Sequence, residues 1–323
     1  MNWACRAGAV SQSLGWRRSN PLILMYHGVT ATRKADGMFR NCDEKHLLLD
    51  TFRLQLRTIQ RWRRVIPLHE MVEGLRSGDD LHNTISITFD DGYENNVLHA
   101  APALADFDMP AAFFLCTGTI GTKHCMWTDC VEIMLDRTRA GTVCLPLTNQ
   151  KLPLHSLQDK RRALGTIKAA LKQLPHAQLS ARLEEIADQL NVREVESDGD
   201  YNFMSWDQAR SLAGAGFEIG AHTVNHPILS RIPLEEAKNE ILASRDKINA
   251  ELGQCSTTFC YPNGGPADYT SDIMEFCKLH FRAAISTSRG SADVSELYQL
   301  RRLGAPGAGS VHSHIEWILL RER

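Results

Sequence analysis

The sequence predicts an α/β protein whose core is a distorted parallel (β/α) barrel of seven or eight strands. Short apolar segments alternate with amphipathic segments of helical periodicity along most of the chain. Several apolar segments are nearly continuous in hydrophobic residues, as parallel strands buried on both faces are. A doubly wound open sheet is the alternative, but no G-x-G-x-x-G follows any predicted strand. The nearest glycine cluster, Gly214 and Gly216, precedes a strand and predicts a helix-to-strand turn.

The predicted elements follow one another in the order expected of such a barrel. The predicted strands are 21–27, 65–68, 84–90, 111–116, 217–221, 257–261, 281–286 and 298–303. Asp43 is expected to cap a helix that carries an apolar stripe from Leu48 to Ile59. The other helices paired with these strands are 94–107, 206–215, 233–252 and 270–279, and Pro233 and Gly253 suit the start and the end of the third.

One long stretch interrupts this alternation. Residues 124–200 carry no convincing strand, only the helix-like segments 157–174 and 178–190. We therefore expect one domain over residues 21–323 with a helical insertion at about 124–200. Residues 1–20 are expected to form an N-terminal helix or extension, because the apolar stretch 7–10 is too short for a secretory signal.

Composition excludes several classes of protein. The chain has 323 residues, with 36 Lys+Arg against 38 Asp+Glu, so its formal charge of -2 argues against a nucleic acid or an anionic membrane surface as partner. No apolar run approaches the roughly 18 residues that a membrane span needs. Nine cysteines occur without a C-x-x-C pair, which indicates reduced thiols and, with no signal peptide recognised, a cytoplasmic location.

The first chemical motif is the end of the predicted strand 84–90. Two adjacent carboxylates, Asp90 and Asp91, are followed by Gly92. The carboxyl ends of barrel strands are where α/β barrels place their active sites. Adjacent like charges are costly unless a cation or a proton compensates them. The alternative is an Asp-Gly turn in which one carboxylate caps the next helix.

The second motif follows the predicted strand 217–221. His222 and His226 are four residues apart, a spacing that brings two imidazoles to one side of a helical turn and suits a metal. Thr223 stands where the H-E-x-x-H motif of metalloproteases requires Glu, so that interpretation fails. One Asp and two His leave coordination positions open for water, as in catalytic metal sites, and the second Asp is then free to act as a base.

A third strand end, at residues 258–265, combines Tyr261, Pro262 and Asn263 with two glycines. Such a turn exposes backbone N–H groups that could bind a developing oxyanion. By itself the segment is better explained as a plain turn.

Taken in this order, the segments 88–92, 222–226 and 259–264 resemble the polysaccharide deacetylase family, carbohydrate esterases related to nodulation-type chitooligosaccharide deacetylases. Tyr26 and His27 resemble the start of a subgroup with a Tyr-His strand end. The resemblance covers about residues 21–306. It implies a distorted (β/α) barrel that removes acetyl groups from N-acetylated sugars with a divalent metal, often zinc.

The resemblance also assigns roles to individual residues. It implies that Asp90 is the general base and that the metal ligands are Asp91, His222 and His226. It further implies that the backbone around Pro262 and Asn263, next to Tyr261, helps to form the oxyanion site.

The sequence departs from the family pattern in three places. Cys260 stands where the family usually has an Arg, the later Asp that supports this Arg is not recognisable, and neither is the Leu-x-His motif of the general acid. His312 and His314 lie too near the end of the chain to replace that acid. Arg301 or Arg302 is a candidate for the missing Arg, and only one can face the site because successive strand residues point to opposite sides.

His27 is a candidate proton donor to the leaving amine. It ends the first predicted strand, and the reference pKa of His is near 6.5. The alternative is that its ring binds a backbone carbonyl and only orders the loop.

The expected function is metal-dependent hydrolysis of N-acetyl groups on the amino sugars of a poly- or oligosaccharide. Two alternatives remain at this point. One is a deformylase or deacetylase that acts on a lipid-linked sugar. The other is a catalytically silent carbohydrate-binding protein, which the missing Arg and acid motifs favour and the intact Asp90, Asp91, His222 and His226 oppose.

Overall fold

The structure, a computed structural model, describes residues 19–31, 39–193 and 195–306. The strands of the described residues are β1 Leu22–Tyr26, β2 Gly28–Thr30, β3 His46–Leu48, β4 Arg64–Val65, β5 Thr84–Phe89, β6 Ala112–Leu115, β7 Thr142–Cys144, β8 Lys151–Pro153, β9 Glu218–Ala221, β10 Thr258–Cys260, β11 Ala283–Ile285 and β12 Leu303–Gly304. The α-helices are α1 Leu49–Trp62, α2 Leu68–Ser77, α3 Ala101–Asp106, α4 Trp127–Arg137, α5 Leu157–Lys172, α6 His176–Leu190, α7 Trp206–Gly214, α8 Leu234–Leu252 and α9 Ser271–His280.

Eight strands form one curled parallel sheet, which confirms the predicted barrel-like α/β class. Its order is β11-β10-β9-β6-β5-β1-β12, and β4 pairs with the start of β5. A parallel bridge between Ile285 and Leu300, three residues before β12, connects the two ends of this order. The carboxyl ends of the strands therefore converge at one end of the curled sheet.

The two faces of the sheet bury separate sets of residues, which explains the nearly continuous apolar strands. In β1, Leu22 and Leu24 pack in the cluster that contains Phe52 of α1. Ile23, between them, packs in the cluster that contains Phe114 of β6 and residues of α2. Because side chains alternate along a strand, both faces must be apolar when both are covered.

The stretch 127–190 is mainly helical, as expected, but it also contains strands that the sequence did not predict. Helices α4, α5 and α6 share a core that includes Val131, Leu164 and Ile186. Between α4 and α5, β7 and β8 form an antiparallel hairpin. Each strand of this hairpin has three residues, too few to show the alternation by which strands are recognised.

Two further predictions about elements were wrong. The first helix begins at Leu49 rather than near Asp43, because the intervening segment forms β3, which pairs in parallel with β2. The last strand is Leu303–Gly304 rather than 298–303. Residues Val294–Glu296 form a short 3-10 helix, and the chain pairs with β1 only at Leu303 and Gly304. Most of the expected N-terminal extension, and His312 and His314, lie outside the described residues.

No helix within the described residues has both the length and the apolar character required to cross a lipid bilayer.

The close approach of β6 and β9 depends on a glycine. A Cβ at Gly220 would lie 2.3 Å from the ring of Phe114. We predict that Gly220→Ala lowers the free energy of unfolding by about 1–3 kcal/mol, since an overpacked core forces side chains off their rotamers. Urea denaturation measures this free energy of unfolding. Gly165→Ala, at an exposed helical position with nothing within 4 Å of the new Cβ, should be neutral or stabilising.

The explanation is tested by making Gly220→Ala in a protein that also carries Phe114→Leu, which removes the ring. If the clash with the ring is the cause, Gly220→Ala should cost less there than in the wild-type background. An equal cost in both backgrounds would contradict this explanation.

Candidate active site

A cavity of about 500 Å³ lies at the carboxyl end of the curled sheet. Its lining includes His27, Asp90, Asp91, His222 and His226, each of which closely follows β1, β5 or β9. The opposite wall includes three residues of the helical stretch: Thr128, Glu132 and Lys168. The structure thus brings together in one cavity the candidate residues from the first two motifs and the candidate proton donor.

The turns that carry these residues have unusual backbone conformations. Asp91, Thr223, His226 and Asn263 all have positive φ, at 76°, 64°, 54° and 59° respectively. This region is uncommon for residues other than glycine and is an outlier for a β-branched residue such as Thr223. Such conformations cost on the order of 1–3 kcal/mol each and concentrate at active sites, where the surrounding structure enforces them.

Asp91, His222 and His226 have the arrangement of a metal-binding group. The Oδ1 atom of Asp91 lies 3.5 Å from the Nε2 atoms of both histidines. One ligand atom from each residue lies within 4.8 Å of the others. All three side chains are buried or nearly so.

The two imidazoles differ in protonation. Burial lowers the pKa of His222, but Cys260 and the contact with Asp91 outweigh burial and raise this pKa well above its ordinary value, so a cation would displace a proton from this ring. Nδ1 of His222 lies 2.7 Å from the carbonyl oxygen of Cys260, and donation to it leaves Nε2 facing Asp91. Burial lowers the pKa of His226 to about 4, so its imidazole is neutral and has a lone pair at neutral pH. The three residues therefore fit a divalent cation with nitrogen and oxygen ligands and open coordination positions.

A second group, Asp90, His222 and Cys260, also brings its ligand atoms within 4.8 Å of one another. It is the poorer metal site because an arginine already occupies both carboxylate oxygens of Asp90. Nη1 of Arg302 donates to Oδ1 at 2.8 Å and Nη2 donates to Oδ2 at 2.7 Å.

Arg302 is a fully buried cation with every N–H group engaged. Besides Asp90, it donates to the carbonyl of Ser286, to Oγ1 of Thr88 and to the sulfur of Cys260. A guanidinium has five N–H donors, and all five are used here. Arg301 points outward and donates to Glu296 at 2.5 Å. The guanidinium thus reaches the space beside Cys260 from the residue directly before the last strand, as one of the two arginine candidates was expected to do.

The ion pair with Arg302 keeps Asp90 ionised. Burial alone would raise the pKa of the Asp90 carboxyl, but the charge of Arg302 and its hydrogen bonds outweigh burial and hold this pKa below its ordinary value. Asp90 is therefore a carboxylate of fixed orientation at neutral pH.

Of the three residues predicted for the oxyanion site, only Asn263 lines the cavity. The N–H of Tyr261 donates to the carbonyl of Ile285 and its hydroxyl donates to the carbonyl of Tyr298, so both of its donors are engaged elsewhere. Pro262 has no N–H. Within the described residues, neither the backbone N–H of Asn263 nor its buried Nδ2 has a partner. Tyr261 and Pro262 therefore lie in the turn outside the cavity lining, and Asn263 lies in it.

His27 lies half-buried in the cavity wall. Among the described residues its ring makes no hydrogen bond, so the alternative of a ring bound to a backbone carbonyl is not observed. Burial is the largest influence and lowers the pKa of His27, and the nearby carboxylates oppose this shift only in part.

Lys45 was not anticipated from the sequence. Its Nζ lies 3.1 Å from Oδ2 of Asp91 and 3.1 Å from Oδ1 of Asp129, and it also contacts the hydroxyl of Tyr93. Lys45 belongs to no motif, and the sequence predicted it inside the first helix. Only its position one residue before β3 brings it to the cavity.

Comparison with known proteins agrees with this geometry. A sequence model of the polysaccharide deacetylase family matches residues 77–281. Solved structures share the fold. The deacetylase PplD of Streptococcus pyogenes in complex with acetate has a TM-score of 0.59 and 16% identity, with 93% of this chain and 98% of that chain covered. IcaB of Ammonifex degensii has a TM-score of 0.57 and 15% identity, with 93% and 97% covered, and the BpsB deacetylase domain of Bordetella bronchiseptica has a TM-score of 0.52 and 17% identity, with 88% and 94% covered. A comparison with curated protein sequences finds no match.

The two neighbouring arginines provide a matched pair of variants. We predict that Arg302→Met lowers the free energy of unfolding by about 3–5 kcal/mol, because it leaves the buried carboxylate of Asp90 without its partner. Arg301→Met should change it by less than about 0.5 kcal/mol, since the Arg301–Glu296 pair is exposed. Chemical denaturation measures the free energy of unfolding of both variants. Similar values for the two variants would refute the structural assignment of Arg302.

Proposed function

The chain belongs to the polysaccharide deacetylase family, which makes it a hydrolase that removes N-acetyl groups from carbohydrates, and we propose that Asp91, His222 and His226 hold the divalent metal of this reaction. The observation that carries the proposal is the common approach of both imidazole Nε2 atoms to Oδ1 of Asp91. Two imidazoles and a carboxylate suit zinc, which we propose as the metal.

A bound divalent cation would supply Lewis-acid activation of the attacking water and of the acetyl carbonyl. Asp90 is proposed to accept the proton of that water on a carboxylate oxygen. Arg302 keeps Asp90 ionised and fixes its orientation through two parallel hydrogen bonds. The base is thus ready to accept a proton without first losing one.

Asn263 is proposed to stabilise the negative oxygen of the tetrahedral intermediate. Its backbone N–H has no partner within the described residues, and Asn263 lies in the cavity wall. Donors that are already in place where charge develops lower the barrier without reorganisation. Tyr261 and Pro262 contribute by holding the turn that presents Asn263.

His27 is proposed to give a proton to the nitrogen of the leaving amine. It lines the same cavity as Asp90 and its ring has no competing partner within the described residues. The substrate class is an N-acetylated amino sugar within an oligo- or polysaccharide. A cavity of about 500 Å³ lies within the range of sites that bind small ligands, about 300–1,000 Å³.

The substrate assignment is tested by product analysis. Zinc-reconstituted protein is incubated with N-acetylglucosamine oligomers, and released acetate and free amines are measured. Matched release of both supports the proposal. Activity confined to N-formyl analogues or to a lipid-linked acceptor would identify a different substrate. Binding without release would identify a silent carbohydrate-binding protein.

The adjacent carboxylates should separate into a base and a ligand. We predict that Asp90→Asn abolishes measurable deacetylation while zinc binding stays close to wild type, because a base must hold a proton whereas a ligand must supply charge and a lone pair. Asp91→Asn should weaken zinc binding itself. Isothermal titration with zinc and an acetate-release assay measure both properties. Equal loss of zinc binding in the two variants would rule out this division.

The role of His27 predicts a pH effect. Because burial lowers its pKa below the ordinary value of 6.5, its protonated form is lost as pH rises through that lowered pKa. We predict that His27→Gln lowers kcat and removes the alkaline limb of the pH–rate profile while zinc binding is retained. The control is His155→Gln, at an exposed position away from the cavity. Full activity with an unchanged alkaline limb would eliminate His27 as the donor.

A further inference from the structure

The mechanism above gives no role to the ammonium of Lys45, although it lies in the cavity and contacts a proposed metal ligand. It lies 3.1 Å from Oδ2 of Asp91, the carboxylate oxygen that does not face the imidazoles. The same ammonium lies 4.7 Å from the centre of the Tyr93 ring and contacts the Tyr93 hydroxyl. A cation so close to a proposed metal ligand requires an explanation.

Lys45 is held in place from the other side by two buried residues. Its Nζ donates to Oδ1 of Asp129 at 3.1 Å, and the hydroxyl of Tyr93 donates to Oδ2 of the same carboxylate at 2.5 Å. Asp129 is 1% exposed and Tyr93 is fully buried. Asp129 lies in the first turn of α4, where the helix dipole favours negative charge.

These contacts give the two oxygens of Asp91 different partners. Oδ1 faces Nε2 of His222 and Nε2 of His226, whereas Oδ2 forms an ion pair with Lys45. A carboxylate with one oxygen held by an ammonium offers the other oxygen to a cation. The left-handed backbone at Asp91 adds a further constraint on where that carboxylate can lie.

We propose that Lys45, anchored by Tyr93 and Asp129, is a positioning residue that fixes Asp91 as a one-oxygen metal ligand. Through Asp129, helix α4 becomes part of the support of the metal site. This inference rests on the proposed function, in that Asp91 must be a ligand. Hydrogen-bond partners of metal ligands orient them, and their loss typically weakens metal binding about 10–100-fold.

The test uses a charge-balanced double variant, Lys45→Met/Asp129→Asn. Removing one positive and one negative charge leaves the net charge of the site unchanged, so an altered metal affinity reports the lost contact between Lys45 and Asp91. It also avoids leaving Lys45 or Asp129 as a buried charge without a partner, which would threaten folding. The matched control is Arg40→Met/Asp136→Asn, which removes the ion pair between Arg40 and Asp136 of α4. It also removes the contacts of Arg40 with Asp198, and it touches no proposed ligand.

Metal-free proteins are titrated with Co²⁺ alone, and calorimetry and visible absorption are recorded together with thermal unfolding. We expect the Lys45→Met/Asp129→Asn variant to bind Co²⁺ about tenfold more weakly, with a changed cobalt spectrum because Oδ2 of Asp91 can then enter the coordination sphere. The control variant should match wild type in both measurements.

An unchanged cobalt spectrum, or an affinity equal to or tighter than that of wild type, overturns the inference and leaves Lys45 as a structural ion pair. Should the double variant not fold, Tyr93→Phe is measured in the same way. A folded Tyr93→Phe protein with a wild-type spectrum and affinity also counts against the inference. Failure of wild-type protein to bind one Co²⁺ would instead refute the proposed metal site, so the two failures are distinguishable.

Discussion

The buried ion pair between Asp90 and Arg302 is the interaction on which the site depends. It joins the end of β5, in the first third of the chain, to the residue directly before the last strand, β12. Removing two charges from water costs several kcal/mol per ion, and only excellent geometry offsets that cost. Here all five guanidinium donors have acceptors, so the proposed base is held in one orientation at the end of β5.

Several residues near this ion pair have strained backbone conformations at the turns that form the cavity wall. Asp91, Thr223, His226 and Asn263 adopt left-handed conformations, and each closely follows a strand of the same sheet. The N–H of His226 donates to the hydroxyl of Thr223 at 3.0 Å, which stabilises one of these turns locally. These strained conformations lower the stability of the fold, and they direct side chains into one cavity, as is common at functional sites.

The helical stretch between β6 and β9 belongs to the site as well as to the fold. It has its own apolar core around α4, α5 and α6, yet Thr128, Glu132 and Lys168 line the cavity and Asp129 reaches Lys45. In the proposed function, substrate would lie between this stretch and the strand ends. Variation in α4 and α5 would then alter substrate choice without changing the residues that perform the chemistry.

The sequence by itself determined the fold class and part of the cavity lining, namely His27, Asp90, Asp91, His222 and His226. Buried parallel strands leave long apolar runs, and Asp90, Asp91, His222 and His226 lie directly after such runs, so local pattern was enough to group them. Short elements escaped prediction, because strands such as β3 and β7 have three residues each and show no periodicity. Only the tertiary structure decided that Arg302 rather than Arg301 faces inward, and that Asn263 rather than Tyr261 lines the cavity. The same holds for the contact of Lys45 with Asp91 and Asp129. Each of these outcomes depends on the register of a strand or on a contact between segments far apart in the chain, and neither is encoded in the spacing of neighbouring residues.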